Sequence, residues 1–242
     1  MKISEKIEGF FSKYFFNKSW RCNVCGKEIF SGEYFCKECE DKLHFIKGNI
    51  CDHCGRTLIN AQDYCSTCKE NLLSIDKGRS IFDYKEAVIP LIHKFKFGNK
   101  GYLAKVFSEY MYGIYLKNRF DAHFITYVPM TKRAERARGY NQSKLLAEEL
   151  SKLLNLQVCD CVEKVKDTPK QEGLNRKERL KNLVDAFRIT ERKTVKGKNV
   201  LLVDDVSTTG STAEAIAERL KRAGASKVYL ISVASVPPMD GY

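Results

Sequence analysis

The sequence predicts an α/β protein with a parallel sheet flanked by helices, preceded by a small cysteine-rich segment. Eight of the ten cysteines lie between residues 22 and 68. Beyond residue 79, short apolar runs alternate with stretches of helical periodicity, a pattern typical of a sheet covered by helices on both faces. The net charge of +12 on 242 residues indicates an anionic partner, such as a nucleic acid or a phosphorylated small molecule.

Composition narrows the class of protein. Hydrophobic residues make up 43% of the chain, enough for a sizeable core, which excludes a wholly disordered protein. No apolar run is long enough to cross a bilayer, and residues 1–16 mix charges with a helical apolar stripe and show no signal-peptide cleavage site. We therefore expect a cytoplasmic protein without membrane insertion. We expect two domains, residues 1–78 and 79–242, with a polar linker near residues 74–80.

The cysteines form a tandem repeat. Cys22, Cys25, Cys36 and Cys39 make two C-x-x-C pairs, and the same spacing recurs 29 positions later at Cys51, Cys54, Cys65 and Cys68. The same shift aligns Gly26 with Gly55 and Lys27 with Arg56. Cysteines at such spacing in a cytoplasmic chain indicate metal binding rather than disulfides.

Each repeat suits tetrahedral thiolate coordination, so we expect two structural Zn²⁺ ions. The simplest pairing follows the repeat, with one ion on Cys22, Cys25, Cys36 and Cys39 and the other on Cys51, Cys54, Cys65 and Cys68; an interleaved pairing stays open. A redox role is the competing hypothesis, but the pairs lack a thioredoxin-like strand–helix context. Residues 1–75 hold 11 Lys and Arg against 10 Asp and Glu, so the basic excess belongs to the rest of the chain.

Periodicity predicts the elements of the C-terminal part. Helices are expected at 102–116, 142–154 and 211–223, and strands at 124–128, 158–165, 199–203 and 227–234. Cys159 and Cys161 fall on one face of their strand, and we interpret them as buried packing thiols.

The most specific motif is VLLVDDVSTTGST at residues 200–212. An apolar strand leads into Asp204 and Asp205, and a hydroxyl-rich loop then enters a helix, at the sheet edge where open α/β folds bind ligands. The loop amides, the hydroxyls and the helix N-terminus suit a phosphate, whereas two charged carboxylates at the strand end suit the vicinal hydroxyls of a sugar. The motif therefore predicts a pentose 5-phosphate site. A plain turn with an N-capping Ser or Thr is the alternative, but such a turn needs no adjacent acids.

This segment resembles the phosphoribosyl pyrophosphate (PRPP) motif of type I phosphoribosyltransferases. Further segments resemble the ComF family: residues 95–98 (FKFG), 128–133 (VPMTKR), 138–143 (RGYNQS), and the pattern formed by Thr168, Gln171, Leu174, Arg179, Asn182, Ala186 and Phe187. The likeness covers nearly the whole chain. One departure is the second cysteine repeat, because many members of the family have a single pair of C-x-x-C motifs. The likeness implies a type I phosphoribosyltransferase-like sheet behind a double zinc ribbon.

The resemblance implies roles for individual residues. Asp204 and Asp205 would hold the ribose hydroxyls, one of them through Mg²⁺. The 5-phosphate loop would comprise Ser207, Thr208, Thr209, Gly210 and Ser211. The pyrophosphate loop would comprise Pro129, Met130, Thr131, Lys132 and Arg133, with Arg138 as a further cation. Residues 166–182 would form a mobile hood that contributes Gln171, Arg176 and the catalytic candidate Arg179.

The same resemblance implies a function. A ComF-type protein would bind PRPP and single-stranded DNA and assist natural transformation or DNA uptake on the cytoplasmic side, with an uptake or helicase protein as a possible partner. A metabolic phosphoribosyltransferase acting on a base or amine is one alternative, although no segment reads as a base-recognition loop. A non-catalytic regulator that senses PRPP is the other. Fold alone does not decide between them.

Overall fold

The computed structural model describes residues 21–29, 33–69, 74–166, 183 and 185–237. Contacts divide the chain into two compact units, Met1–Leu43 and His44–Tyr242. The first unit holds the first cysteine repeat and helix α1 (Lys37–Glu40). The second unit holds the second cysteine repeat together with the sheet. Our predicted boundary, after residue 78, was instead drawn where the cysteine-rich segment ends. The second repeat groups with the sheet because its backbone packs against the strand that begins at Lys77.

Four parallel strands form the sheet, in the order β1-β6-β5-β2. They are β1 (Lys77–Asp83), β2 (Phe124–Tyr127), β5 (Asn199–Ser207) and β6 (Lys227–Ser235). Two further short strands, β3 (Val162–Lys164) and β4 (Phe187–Ile189), pair antiparallel in a separate ribbon. The carboxyl ends of all four parallel strands meet at one edge, which is where the predicted phosphate motif lies.

Helices connect and cover these strands. They are α2 (Ser66–Lys69), α3 (Val88–Phe97), α4 (Leu103–Lys117), α5 (Lys132–Arg138), α6 (Gln142–Leu154), α7 (Arg192–Val195) and α8 (Ser211–Arg222). Helix α6 packs on α4, β2 and β5, whereas α8 packs on β4, β5 and β6. Among the residues that the structure describes, no helix combines the length and the apolar character needed to cross a membrane.

The core forms because residues 200–203 of β5 and 228–231 of β6 place apolar side chains on both faces of the sheet. Val200, Leu202, Val228 and Leu230 join the apolar face of α8 in one buried cluster, and the intervening residues of both strands are also buried. Cys159 and Cys161 belong to the same cluster, as expected for packing thiols. The predicted fold class is thereby confirmed.

Two expectations need correction. The stretch that we interpreted as a linker contains most of β1, which pairs with β6 along its length, including a hydrogen bond between buried Ser80 and Ser232 of 2.7 Å. The acidic pair does not follow β5 but lies within it, because the strand continues to Ser207. By contrast, the helix predicted at 142–154 matches α6, which Asn141 caps by accepting a hydrogen bond from the Lys144 amide.

Candidate functional site

The two carboxylates of the β5 motif are buried and differ in their partners. Asp204 accepts hydrogen bonds from the Asp205 amide at 2.8 Å and from Ser143 Oγ, at the start of α6, at 3.2 Å. Asp205 Oδ1 lies 3.0 Å from Lys96 Nζ, at the end of α3. The relative exposures of Asp204 and Asp205 are 7% and 9%. The pair is therefore an enclosed acidic centre with one ammonium group beside it.

Enclosure changes the charge of this centre. Burial, together with the neighbouring Asp205 carboxylate, raises the pKa of Asp204 to about 7. We expected two charged carboxylates at an open strand end. The structure corrects that expectation for Asp204, because a side chain inside the strand loses the hydration that keeps a carboxylate ionised. A bound cation or hydroxyl donor would restore favourable partners for the ionised form.

The loop at 207–211 leads from β5 into α8. Gly210 occupies the N-cap position with φ of +75°, in the left-handed region that favours glycine, and provides no side-chain cap. Thr209 Oγ1 bonds Ser211 Oγ at 2.8 Å and accepts a 3.3 Å hydrogen bond from the Ser211 amide. Thr208 and Thr209 are exposed. The helix thus begins without a conventional side-chain cap, among hydroxyls, which is the arrangement of an anion site at a helix N-terminus.

A cavity of about 200 Å³ opens beside the acidic pair. Three predicted residues of the pyrophosphate loop line it: Pro129, Met130 and Thr131. Further lining comes from Lys96, Val128, Ala134, Arg138, Asn141, Gln142, Ser143, Lys164, Asp204 and Asp205. Among the described residues, the cations that face this cavity are therefore Lys96, Arg138 and Lys164.

Lys132 and Arg133 lie elsewhere on the same loop and helix. Thr131 caps α5, so Lys132 and Arg133 occupy its first turn, where they are exposed and outside the cavity lining. Ala134 and Arg138, four residues apart, share the helix face that borders the cavity. The catalytic role of Lys132 and Arg133 stays a prediction. The hood residues Gln171, Arg176 and Arg179 lie outside the described residues; Lys164 of β3 borders the cavity near the start of that segment.

The RGYNQ segment fixes α3 against the cleft. Tyr140 donates to the Phe95 carbonyl at 2.5 Å, and Gln142 donates to the Lys96 carbonyl at 3.3 Å. Gln142 also accepts from Arg138 at 2.9 Å. These bonds hold Lys96 where its ammonium reaches Asp205. Lys96 and Lys164 were not identified from the sequence; the position of Lys96 in the FKFG segment was the available signal.

The cysteines form two separate thiol clusters. One comprises Cys22, Cys25, Cys36 and Cys39, and the other comprises Cys51, Cys54, Cys65 and Cys68, with all sulfurs of a cluster within 4.8 Å of one another. Sulfur–sulfur distances are 3.8 Å for Cys25 to Cys36 and 3.9 Å for Cys54 to Cys65. Four thiolates around one Zn²⁺ stand about 3.8 Å apart when each Zn–S bond is about 2.3 Å. Both clusters therefore fit structural zinc, and the pairing follows the repeat rather than interleaving.

Family models match both parts of the chain: a double zinc ribbon domain at residues 14–69 and a phosphoribosyl transferase domain at residues 141–238. In solved structures, the fold is similar to a glutamine PRPP amidotransferase from B. subtilis complexed with ADP and GMP. That likeness has 19% identity and a TM-score of 0.41, and spans 58% of this chain and 30% of that one. It is too distant to bear on function.

Curated relatives give closer matches. The DNA utilization protein YhgH of Escherichia coli is 35% identical over 160 residues, 62% of this chain and 67% of that protein. Competence protein ComFC of Bacillus subtilis is 29% identical, covering 66% of this chain and 65% of the relative. Competence protein F of Haemophilus influenzae is 31% identical over 225 residues, which cover 90% of this chain and 91% of the relative. With both domains matched and this likeness along nearly the whole length, the chain belongs to the ComF family.

Proposed function

We propose that this protein binds PRPP with Mg²⁺ in the cleft beside β5, binds single-stranded DNA at the adjoining surface, and serves DNA uptake on the cytoplasmic side. One observation carries the PRPP part of the proposal. A buried acidic pair and a helix N-terminus with glycine at the N-cap follow each other on one strand and loop, an order that suits a sugar and its 5-phosphate.

The charges of the cleft suit the remaining part of the ligand. Lys96, Arg138 and Lys164 line the same cavity as residues 129–131. A leaving pyrophosphate gains negative charge as the bond to the sugar breaks, and fixed cations in a partly enclosed cavity stabilise that charge. The ribose hydroxyls would donate to Asp204 and Asp205, which carry the acceptor oxygens.

The donor set also fits Mg²⁺. Two adjacent carboxylates offer the hard oxygen ligands that this ion prefers, while its remaining positions are commonly filled by water and phosphate oxygens. When bound with PRPP, Mg²⁺ would neutralise phosphate charge. Because Lys96 Nζ lies 3.0 Å from Asp205 Oδ1, Mg²⁺ at the Asp205 carboxylate would compete with this ammonium group.

Calorimetry with PRPP and Mg²⁺ tests the binding site. Asp205→Asn removes charge while keeping size, so the loss of a charge-assisted hydrogen bond should weaken PRPP binding by roughly 1.5 to 3 kcal/mol, about ten- to a hundredfold. Asp160→Asn is the matched control, because this carboxylate is 62% exposed and outside the cavity lining. Unchanged binding in both Asp204→Asn and Asp205→Asn, with zinc content intact, would remove the acidic pair from the site.

A second assay tests turnover. Pyrophosphate release is measured with PRPP, Mg²⁺ and a panel of bases, amines and oligonucleotides. Release that depends on one base or amine would assign a metabolic phosphoribosyltransferase. Binding of PRPP without release under any condition would assign a PRPP sensor.

The DNA part of the proposal draws on the relatives and on the surface. The relatives are named for DNA utilization and for competence. Phe97, at the end of α3, is 59% exposed and carries the Arg138 guanidinium 4.9 Å from its ring centroid. Tyr102 is 55% exposed, with Lys100 Nζ 5.8 Å from its ring centroid. Exposed rings flanked by cations suit bases and phosphates of a single strand, without sequence preference.

A further inference from the structure

The two cysteine repeats differ at one equivalent position. Lys27, in the first repeat, has a side chain that is 64% exposed and forms a 3.2 Å ion pair with Glu38 of the same repeat. Arg56, at the corresponding place in the second repeat, is only 7% exposed. A buried guanidinium is unfavourable unless nearby groups compensate its charge and N–H donors. Its surroundings therefore indicate what the second repeat does differently.

Arg56 lies between the thiol cluster and the 207–211 loop. Its Nη2 donates to the Thr208 carbonyl at 3.2 Å, and Nε has no hydrogen-bond partner among the described residues. Burial disfavours the charge of the guanidinium, whereas ionised Cys54, Cys65 and Cys68 would favour it. With Zn²⁺ bound, four thiolates and one ion would carry a net charge of about −2, which would compensate the buried guanidinium. The Arg56 backbone thus belongs to the second cysteine repeat, and its guanidinium is hydrogen-bonded to the 207–211 loop.

A second link reaches α8, just beyond the loop. His53 Nε2 lies 3.1 Å from Glu214 Oε2, in the first turn of that helix. The other Glu214 oxygen accepts from the Ser74 amide. His53 is buried and Glu214 is partly buried, with side-chain exposures of 6% and 12%. The ribbon therefore contacts the polypeptide on both sides of Gly210.

The ribbon has a rigid base for these contacts. Gly55 packs so closely on β1 that a Cβ there would lie 2.5 Å from the Arg79 backbone, and a Cβ on Gly78 would lie 2.5 Å from the His53 carbonyl oxygen. Arg79 also bonds Asp52, at 2.7 Å from Nη2 to Oδ1. Such close backbone contact leaves the Cys51–Cys54 knuckle little freedom to shift relative to the sheet.

We propose that Arg56 is a positioning residue for the anion-binding loop, and that the second zinc ribbon, through Arg56 and His53, sets the geometry with which residues 207–211 receive a phosphate. The part of this proposal that concerns phosphate binding, the ligand arm, rests on the proposed PRPP function. The part that concerns the position of the 207–211 loop, the loop arm, does not, because the contacts with Thr208 and Glu214 exist without ligand.

Hydrogen exchange of the full chain without ligand tests the loop arm. Arg56→Met should speed exchange in the peptide covering residues 206–214 about tenfold, whereas Lys27→Met, its counterpart in the first repeat, should leave that peptide unchanged. Arg56→Lys, which restores a cation able to reach the Thr208 carbonyl, should recover part of the protection. Unchanged exchange in Arg56→Met, or equal acceleration in Lys27→Met, would overturn the proposal.

PRPP calorimetry tests the ligand arm on the same variants. Arg56→Met should weaken binding roughly tenfold and Arg56→Lys less, with zinc content and melting temperature as controls. If the wild-type protein does not bind PRPP, the proposed function fails while hydrogen exchange still decides the role of Arg56. If Arg56→Met does not fold, His53→Gln takes its place, and unchanged exchange at residues 211–214 in that variant would overturn the proposal.

Discussion

The burial of Asp204 predicts how the stability of the protein depends on pH. Its pKa is raised from the ordinary 3.8 to about 7, so the folded protein holds this proton more tightly than the unfolded chain does. The stabilisation from the bound proton is fully present below about pH 4. It decreases as the pH rises and is lost once the pH has passed through about 7, because over that range the unfolded chain releases this proton while the folded protein still holds it.

Asp204→Asn isolates this contribution. Asn keeps an oxygen that accepts from the Asp205 amide and from Ser143 Oγ, but carries no charge to bury. Linkage between a pKa of 3.8 in the unfolded chain and about 7 in the folded protein makes the penalty for the native carboxylate larger at pH 8 than at pH 5, by roughly 2 to 3 kcal/mol. The variant should therefore gain roughly this amount over wild type between these pH values.

Urea unfolding of both proteins at pH 5 and pH 8, without Mg²⁺ or PRPP, measures this difference. Loss of zinc at pH 5 affects both proteins alike and cancels in the comparison. Asp160→Asn, at a largely exposed carboxylate, controls for removing one negative charge. If wild type and Asp204→Asn show the same change in unfolding free energy between the two pH values, the reasoning from burial is wrong.

Three further predictions concern the metal centres and the cleft. Elemental analysis should find two zinc ions per chain, and one zinc or an iron–sulfur absorption would contradict the two-cluster assignment. Phe97→Ala should weaken single-stranded DNA binding in an anisotropy titration by about 1 to 3 kcal/mol, whereas Ile59→Ala, another exposed apolar side chain, should not change it. Lys96→Met leaves Asp205 without its ammonium partner and should lower the melting temperature. Added Mg²⁺ should raise the melting temperature of this variant more than that of wild type. Equal increases in the two proteins would exclude competition between Lys96 and Mg²⁺ for the carboxylate.

Local signals explain why parts of the fold were predictable. Helix α6 has a capping Asn141 before it, an apolar stripe, and Asn155 in the left-handed conformation after it, so its ends are specified within a few residues. Residues 200–203 of strand β5 are a continuous apolar run, which predicts burial on both faces. Each cysteine cluster draws its ligands from fewer than twenty consecutive residues. In all three cases the information is local.

Strand β1 shows where such reasoning stops. It begins Lys77-Gly78-Arg79-Ser80, which has the composition of a linker, and it becomes a strand by pairing with β6 some 150 positions later. Its polar residues are used by distant partners: Arg79 bonds Asp52, and Ser80 bonds Ser232. The sequence pattern of residues 77–83 alone does not indicate which distant residues they contact.

The candidate site shows the same division between local and distant information. The sequence identified Asp204, Asp205 and the loop because they are contiguous, but it did not identify Lys96, which approaches Asp205 from another helix. The family resemblance implied roles for Lys132 and Arg133 in the pyrophosphate loop; both lie in the exposed first turn of α5, and their role stays a prediction.

The unfavourable features of the second unit gather around the end of β5. Among the described residues, a carboxylate with a raised pKa lies inside the strand, a helix begins without an N-cap side chain, and the buried Arg56 Nε has no hydrogen-bond partner. Each of these features reduces stability when considered alone. Natural sequences depart from local rules mainly where a site requires it. A phosphorylated sugar with a cation would supply partners to both the carboxylates and the helix N-terminus, which is a physical reason to place the ligand there rather than at another edge of the fold.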